Sequence, residues 1–365
     1  MNLLLLCRPG FEPETAAEIA DWAARREIAG YPQAERGSGW VRFHDLAAQQ
    51  ENTGADPEEE AGRNTARPAL PPRNLIFARQ CVRVLADLPQ LDPSDRLTPM
   101  LAALADTPWC PFGSLIVEHP DSDAARPLAG LARSFGNALR PALRKAGLLS
   151  ASEDLQQPCL HLCFFSGTHA VLGVSQPRGE RIWPQGIPRL RLPKEAPSRS
   201  AQKLEEAFQI LLRPDEREQW LKPGMSAVDL GAAPGGWSWI LTRHHIHVTA
   251  IDNGPLADSL LATGLVRHLR ADGFSWQPTQ PVDWMVCDMV EQPRRVAARM
   301  AEWFAHGWCR RAVFNLKLPM KKRHAEVQAN LADFHAHCAE AGVAVQTRAR
   351  QLYHDREEIT VLAWS

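Results

Sequence analysis

The sequence predicts an α/β protein, with a doubly wound, mostly parallel seven-stranded sheet over residues 198–365 and an α+β region over 1–175 before it. Three observations predict this. Past residue 198, short apolar runs alternate with helical patterns, as parallel strands with crossover helices require. The stretch VDLGAAPGGW (228–237) carries an apolar strand into a glycine turn and then a helix. Residues 176–197, QPRGERIWPQGIPRLRLPKEAP, hold five prolines and separate the two regions as an extended linker.

In chain order, Leu3–Leu6 is an apolar strand, about Pro13–Arg26 a helix, and a glycine-rich turn leads to a strand near Trp40–Phe43. Residues 47–72, AAQQENTGADPEEEAGRNTARPALPP, are acidic and poor in apolar side chains, which predicts a mobile insertion. NLIFARQCVRVLADL returns to strand character, PFGSLIVEHPD (111–121) gives another strand, and Leu128–Ala146 a helix rich in Arg and Leu. Residues 158–175 fit a hairpin around Gly167. These mixed elements carry no catalytic constellation, so the region is expected to serve recognition.

The second half is more regular. Helices are expected at Ser200–Leu212, Gly235–His244, Leu256–Thr263, Arg294–His306 and Arg323–Ala341. Strands are expected at Ser226–Leu230, His247–Ile251, Val266–Arg270, Asp283–Cys287, Ala312–Leu316, Val343–Arg348 and Glu358–Ala363. The last two are expected to pair as a hairpin at the sheet edge.

The 365 residues are enough for two domains, and 45% hydrophobic with 23% charged residues is an ordinary globular composition. No apolar run reaches the roughly 20 residues of a membrane span, and MNLLLLCRPG lacks the basic start of a signal peptide. The eight cysteines include no CxxC pair, which points to reduced thiols in a cytoplasmic protein. A net charge of −1 gives no global attraction to anions. Two local basic clusters do: Arg178, Arg181, Arg189, Arg191, Lys194, Arg199 and Lys203, then Arg310, Arg311, Lys317, Lys321, Lys322 and Arg323.

The glycine turn is the strongest local signal. Glycines let backbone approach a ligand and present N–H groups at a helix start, and GxGxxG is absent because Pro234 intervenes. Asp252 ends the second strand of this half, where a carboxylate can accept from ribose hydroxyls. Asp272 in LRADGF is read as ending the third strand near an adenine edge, and Asp288 follows the fourth in WMVCDM. Acidic residues at successive strand ends suit a nucleoside-containing cofactor, since such sheets bind ligands outside their carboxyl ends. His244, His245 and His247 surround a helix-to-strand turn and call for no metal. Trp237, Trp239 and Trp276 are chiefly core candidates.

Together, DLGAAPGGW, ADGF, CDMV and FNLKLP resemble the S-adenosylmethionine-dependent ribose 2'-O-methyltransferases of the FtsJ type, whose catalytic domain is Rossmann-like. PSRSAQKLEEAF (197–208) is similar to the entry helix of that group. The resemblance implies a catalytic tetrad of Lys203, Asp288, Lys317 and Glu358, with Glu357 as the fallback for the last. It implies cofactor contacts from Ser200, Gly231, Ala233, Pro234, Gly235, Gly236, Asp252, Asp272 and Asp288. LLCRPGFE, APSRS, DNGP, MVCDMVEQP, FNLKLPMKKR and RQLYHDREE extend the likeness along the chain to the bacterial 23S rRNA methyltransferase M family. That family joins an N-terminal THUMP-containing RNA-binding region to the methyltransferase domain and modifies a cytidine ribose in the peptidyl-transferase region. The implied partner is 23S rRNA, protein-free or in an early precursor, with no membrane or metal, and a monomer is the working expectation. The acidic 47–72 stretch does not fit the family pattern.

The tetrad suits the chemistry. A ribose hydroxyl is a poor nucleophile while protonated, and methyl transfer needs its oxygen aligned about 3 Å from the methyl carbon with an acceptor at hand. Lysine ordinarily keeps its proton at neutral pH. A neighbouring lysine and burial would favour release, and the two carboxylates would oppose it. Two roles for Lys317 follow: a neutral base that takes the proton, or an ammonium that orients the hydroxyl. The resemblance favours the first. Alternative functions are methylation of another RNA, or a non-catalytic RNA-binding factor in ribosome assembly.

Overall fold

The strands of a doubly wound sheet are buried on both faces, and the apolar runs of the second half are placed accordingly. The computed structural model describes residues 1–47 and 74–365. From Ala48 on, the expected insertion lies outside the described residues. By its contacts the chain divides into Met1–Ile187 and Pro188–Ser365, a boundary inside the proline-rich stretch.

Among the described residues the first unit holds one seven-stranded sheet, in the order β2-β3-β1-β4-β7-β6-β5. Its strands are β1 (Leu3–Cys7), β2 (Gly30–Ala34), β3 (Trp40–Asp45), β4 (Ala78–Leu88), β5 (Ser114–Glu118), β6 (Cys159–Phe164) and β7 (Ala170–Ser175). Helix α1 (Glu12–Ala24) lays Ile19 and Ala23 on Leu3, Leu5, Val41 and Phe43. Helices α2 (Leu97–Leu104) and α3 (Ala129–Lys145) cover Leu160, Leu162, Phe164 and Leu172 with Met100, Leu104, Leu139 and Leu143.

Two of these elements depart from expectation. β2, expected as a turn, is a strand because β3 pairs with it residue by residue from Gly30↔Asp45 to Ala34↔Val41. Its largely exposed face and Pro32 hide it from any apolar pattern. Gly30 is required there, since a Cβ would strike the His44 carbonyl and the Phe43 ring. Helix α2 was not expected: LTPMLAAL is apolar nearly all round and carries Pro99, so no polar face marks a 3.6-residue repeat.

The second unit holds the expected doubly wound sheet, also seven-stranded among the described residues, in the order β10-β9-β8-β11-β12-β14-β13. The strands are β8 (Ser226–Leu230), β9 (His247–Ile251), β10 (Val266–Leu269), β11 (Val282–Cys287), β12 (Cys309–Lys317), β13 (Gln346–Arg350) and β14 (Glu358–Trp364). β8 to β12 run parallel, and β14 inserts antiparallel between β12 and β13. The final two strands thus form the expected hairpin at one end of the sheet, with β13 as that edge and β14 beside β12. The helices are α4 (Ala201–Leu211), α5 (Pro214–Trp220), α6 (Gly236–Arg243), α7 (Asp258–Leu261), α8 (Pro293–Ala305) and α9 (Arg323–Glu340). α5 was not expected. It has Pro214 at its start, and Glu216 accepts the Arg213 N–H (2.8 Å) while pairing with Arg348 on β13. Among the described residues no helix is long and apolar enough to cross a membrane.

In the first unit, the buried Glu118 of β5 accepts from Gln80 Nε2 (2.5 Å), His161 Nδ1 (3.0 Å) and the Gln185 backbone N–H (2.5 Å). Glu118→Ala should strand these buried donors and cost about 3 kcal/mol or more. The loss would be read as an earlier urea midpoint and faster amide exchange in β4 to β7. Glu118→Gln keeps an acceptor oxygen and should lose less; equal midpoints for wild type and Glu118→Ala would refute the clamp.

Candidate active site

β8 leads into the glycine turn, and packing demands its glycines. Gly231 has φ 74°, and a Cβ there would collide with Met289. Gly235 begins α6 with φ 112°, a left-handed conformation, and a Cβ would enter the Leu260 side chain. At Gly236 a Cβ would overlap the hydroxyls of Ser198 and Ser200. The start of α4 is thereby held against the turn, and Trp237 Nε1 donates to the Ser200 carbonyl (3.0 Å).

Asp252 follows β9. Its Oδ2 accepts from the Ala233 N–H (2.9 Å) and its Oδ1 from the Gly254 N–H (2.7 Å), which fastens the next loop to the glycine turn. Asp272 lies beyond the end of β10 rather than on it, exposed in a short turn with Oδ1 accepting from the Phe274 N–H (3.0 Å). β10 stops at Leu269 because its pairing with β9 ends at Ile251. Pro234 is exposed within the turn.

Lys203, Asp288, Lys317 and Glu358 come together. Asp288 directly follows β11, Lys317 ends β12, and Glu358 opens β14 opposite Lys317 in the antiparallel register. Lys203 reaches in from α4, placing Nζ 3.2 Å from Asp288 Oδ2 and 2.5 Å from Glu358 Oε1. Lys317 Nζ is 3.4 Å from Asp288 Oδ1 and bonds closely to Glu358 Oε2. Each lysine Nζ thus touches both carboxylates. Burial opposes the charge on Lys203, but Asp288 and Glu358 outweigh it and hold its pKa above the usual lysine value. Glu357 points elsewhere, exposed and paired with Arg323 Nη2 at 2.8 Å.

The second basic cluster is not one patch. Arg311 and Lys317 are six residues apart along an extended strand, about 20 Å. Arg311 lies over the Trp220 and Trp284 rings, so it belongs to the packing at the far end of β12.

Family patterns match three parts of the chain. The ribosomal RNA large subunit methyltransferase M ferredoxin-like domain matches residues 1–82, that family's N-terminal domain 95–176, and the FtsJ-like methyltransferase 196–317. Ribosomal RNA large subunit methyltransferase M of Xanthomonas campestris pv. campestris (strain B100) is 60% identical over 362 residues, 99% of each chain. The chain belongs to the ribosomal RNA large subunit methyltransferase M family. The protein of that name from Stenotrophomonas maltophilia (strain R551-3) is 59% identical over 100% of this chain and 97% of its own. A solved structure, TrmN from Thermus thermophilus, aligns at 17% identity with a TM-score of 0.33, over 100% of this chain and 99% of that one. Both N-terminal patterns of the family fall within residues 1–176, and among the described residues the strands of that region form one sheet.

In this member of the methyltransferase M family several buried polar groups around the site escaped the sequence reading. Glu206 on α4 accepts from the backbone N–H groups of Tyr353 (2.8 Å) and His354 (3.0 Å) and bonds His354 Nδ1 (2.7 Å). Asn315 Nδ2 donates to Asp288 Oδ1 (2.8 Å). The only signal was that Asn315 interrupts the apolar run Ala312–Leu316. Asp229, inside β8, accepts from Ser238 Oγ (2.7 Å). Burial, with the charges of Asp288 and Asp252 added, pushes its carboxyl from 3.8 up to about 7.

Between about pH 4 and pH 7 the folded chain therefore keeps a proton on Asp229 that the unfolded chain loses, so this contribution to stability falls as pH rises through that window. Asp229→Asn should flatten that slope and be more stable than wild type at pH 8. Urea midpoints measured from pH 4 to 8 check this, and identical slopes for both proteins would rule out the buried acid.

Proposed function

We propose that this protein methylates the ribose 2'-hydroxyl of a cytidine in the peptidyl-transferase region of 23S rRNA, with S-adenosylmethionine as methyl donor. The observation that carries the reading is the closed square of Lys203, Asp288, Lys317 and Glu358 at the strand ends beside the glycine turn. It fits a reaction in which a neutral hydroxyl becomes an ether oxygen and must shed a proton.

The residues present fit the cofactor. Gly231, Gly235 and Gly236 keep the turn free of side chains, Asp252 offers carboxylate oxygens at a strand end, and Ser200 and Ala233 border the turn. Pro234 shapes it, and Asp272 is available beyond β10. When bound there, S-adenosylmethionine supplies a methyl group activated by a sulfonium centre.

Lys203 keeps its ammonium and holds the two carboxylates in place. Asp288 and Glu358 in turn hold Lys317 Nζ. In this reading Lys317 enters the reaction as the neutral amine, accepts the hydroxyl proton as the oxygen forms its bond to the methyl carbon, then returns that proton to solvent. The reacting ribose has to leave any regular stack, so an RNA loop in protein-free 23S rRNA or an early precursor is the substrate we infer. The N-terminal unit is assigned to RNA binding, and the protein to the cytoplasm as a monomer.

Radiolabelled methyl transfer to protein-free 23S rRNA lacking the modification tests this reading, with the labelled nucleotide mapped by its resistance to alkaline cleavage. Wild type should label one cytidine. Lys317→Ala should bind cofactor normally and lose about 10²–10⁴-fold in rate. Lys317→Arg keeps the charge but is no base at neutral pH, so it should lose as much; substantial activity in it would show that Lys317 orients the hydroxyl instead.

A further inference from the structure

Asn315 and Thr360 face each other across β12 and β14, and both are fully buried. Each is a polar side chain in an otherwise apolar strand interior, a costly placement without hydrogen-bonded partners. The partners form a line. Asp355 Oδ2 is 2.9 Å from Thr360 Oγ1, which is 2.8 Å from Asn315 Oδ1, and Asn315 Nδ2 is 2.8 Å from Asp288 Oδ1.

We propose that Asp355, Thr360 and Asn315 are positioning residues that orient the Asp288 carboxylate, and through it the reacting amine of Lys317. The inference rests on the reading of Lys317 given above.

Counting protons fixes the direction of the line. Asn315 must turn its amide N–H toward Asp288, because its carbonyl would repel a carboxylate. Its carbonyl then faces Thr360 and needs a donor. The single hydroxyl proton of Thr360 fills that role, so a proton between Thr360 and Asp355 must come from Asp355. A carboxylic acid there can donate to Thr360 while its Oδ2 still accepts the Leu352 N–H (3.0 Å). Burial, reinforced by the nearby charges of Glu358 and Glu206, favours that neutral form. Around Asp288 stand Lys203 from α4, Lys317 and Asn315 from β12, and Asp229 from β8. If Asp355 ionised, Thr360 would turn its proton toward it, and Asn315 would lose the donor that holds its amide toward Asp288.

Thr360→Val removes the hydroxyl at nearly constant volume. It should lower kcat about ten-fold, with KM for RNA and cofactor affinity unchanged, and Thr360→Ser should restore the rate. Asn315→Asp places a second carboxylate against Asp288. Its deficit relative to wild type should shrink toward low pH, where a protonated carboxyl at that position can donate again. A merely structural role would produce no such pH dependence. The line itself is read without activity from the Asn315 side-chain amide protons by NMR: slow solvent exchange in wild type, faster exchange and a shifted resonance in Thr360→Val. Fast exchange in wild type, or an amide indifferent to Thr360→Val, would overturn the proposal whether or not RNA is methylated. So would a folded Thr360→Val with wild-type kcat and pH profile. Absence of methyl transfer by wild type, with the amide behaving as expected, would fail the functional reading and leave the line standing.

Discussion

Everything at the site depends on the register of β14 against β12. Lys317 sits opposite Glu358 and Asn315 opposite Thr360, two steps apart on one face. Side chains alternate along a strand, so a slip of β14 by one residue would turn Glu358 and Thr360 to the other face, away from Lys317 and Asn315. β14 is held on both edges, by β12 and by β13, which leaves little freedom for such a slip. The insertion of an antiparallel strand into a parallel sheet brings a carboxylate from the chain's last strand beside a lysine that the parallel topology alone would leave with Asp288 only.

Two further constraints close the site from the helix side. Lys203 and Glu206 lie one turn apart on α4. The first reaches the two carboxylates, and the second clamps the backbone at Tyr353 and His354. The helix that delivers one lysine is thus tied to the loop that delivers Asp355 and leads into Glu358. The glycine turn is packed against the start of the same helix through Ser198 and Ser200. Cofactor turn, lysine helix and final strand form one mechanical unit, which is how charged groups are kept within about half an ångström of a productive geometry.

The buried glutamates separate architecture from chemistry. Glu12, Glu18, Glu118, Glu206 and Glu216 each accept backbone N–H groups and fasten a loop or helix end. Glu358 is equally buried, yet its partners are the side-chain nitrogens of Lys203 and Lys317. A carboxylate paired with two lysines can take part in moving protons and charge; one held by backbone is a rivet. The sequence presents all six alike.

What the sequence determined by itself was whatever is written locally and repeated. The glycine turn, the strand-end acids Asp252 and Asp288 and the alternation of strands with helices can all be read in order, because a parallel sheet demands long apolar runs and a ligand turn demands glycine. Elements without such a signature were lost: β2 exists only because β3 pairs with it, α2 is apolar nearly all round and α5 polar nearly throughout, so neither shows a two-faced repeat. The placement of Lys203 and Glu358 came from resemblance to a family rather than from any local rule, since 155 positions separate them along the chain. Tertiary structure alone decided that Arg311 stacks on tryptophans far from Lys317, that Glu206 rivets a distant loop, and that Asn315 finds Thr360. Hydrogen bonds and charge pairs act over a few ångströms of space, and only the folded chain sets which residues share that space.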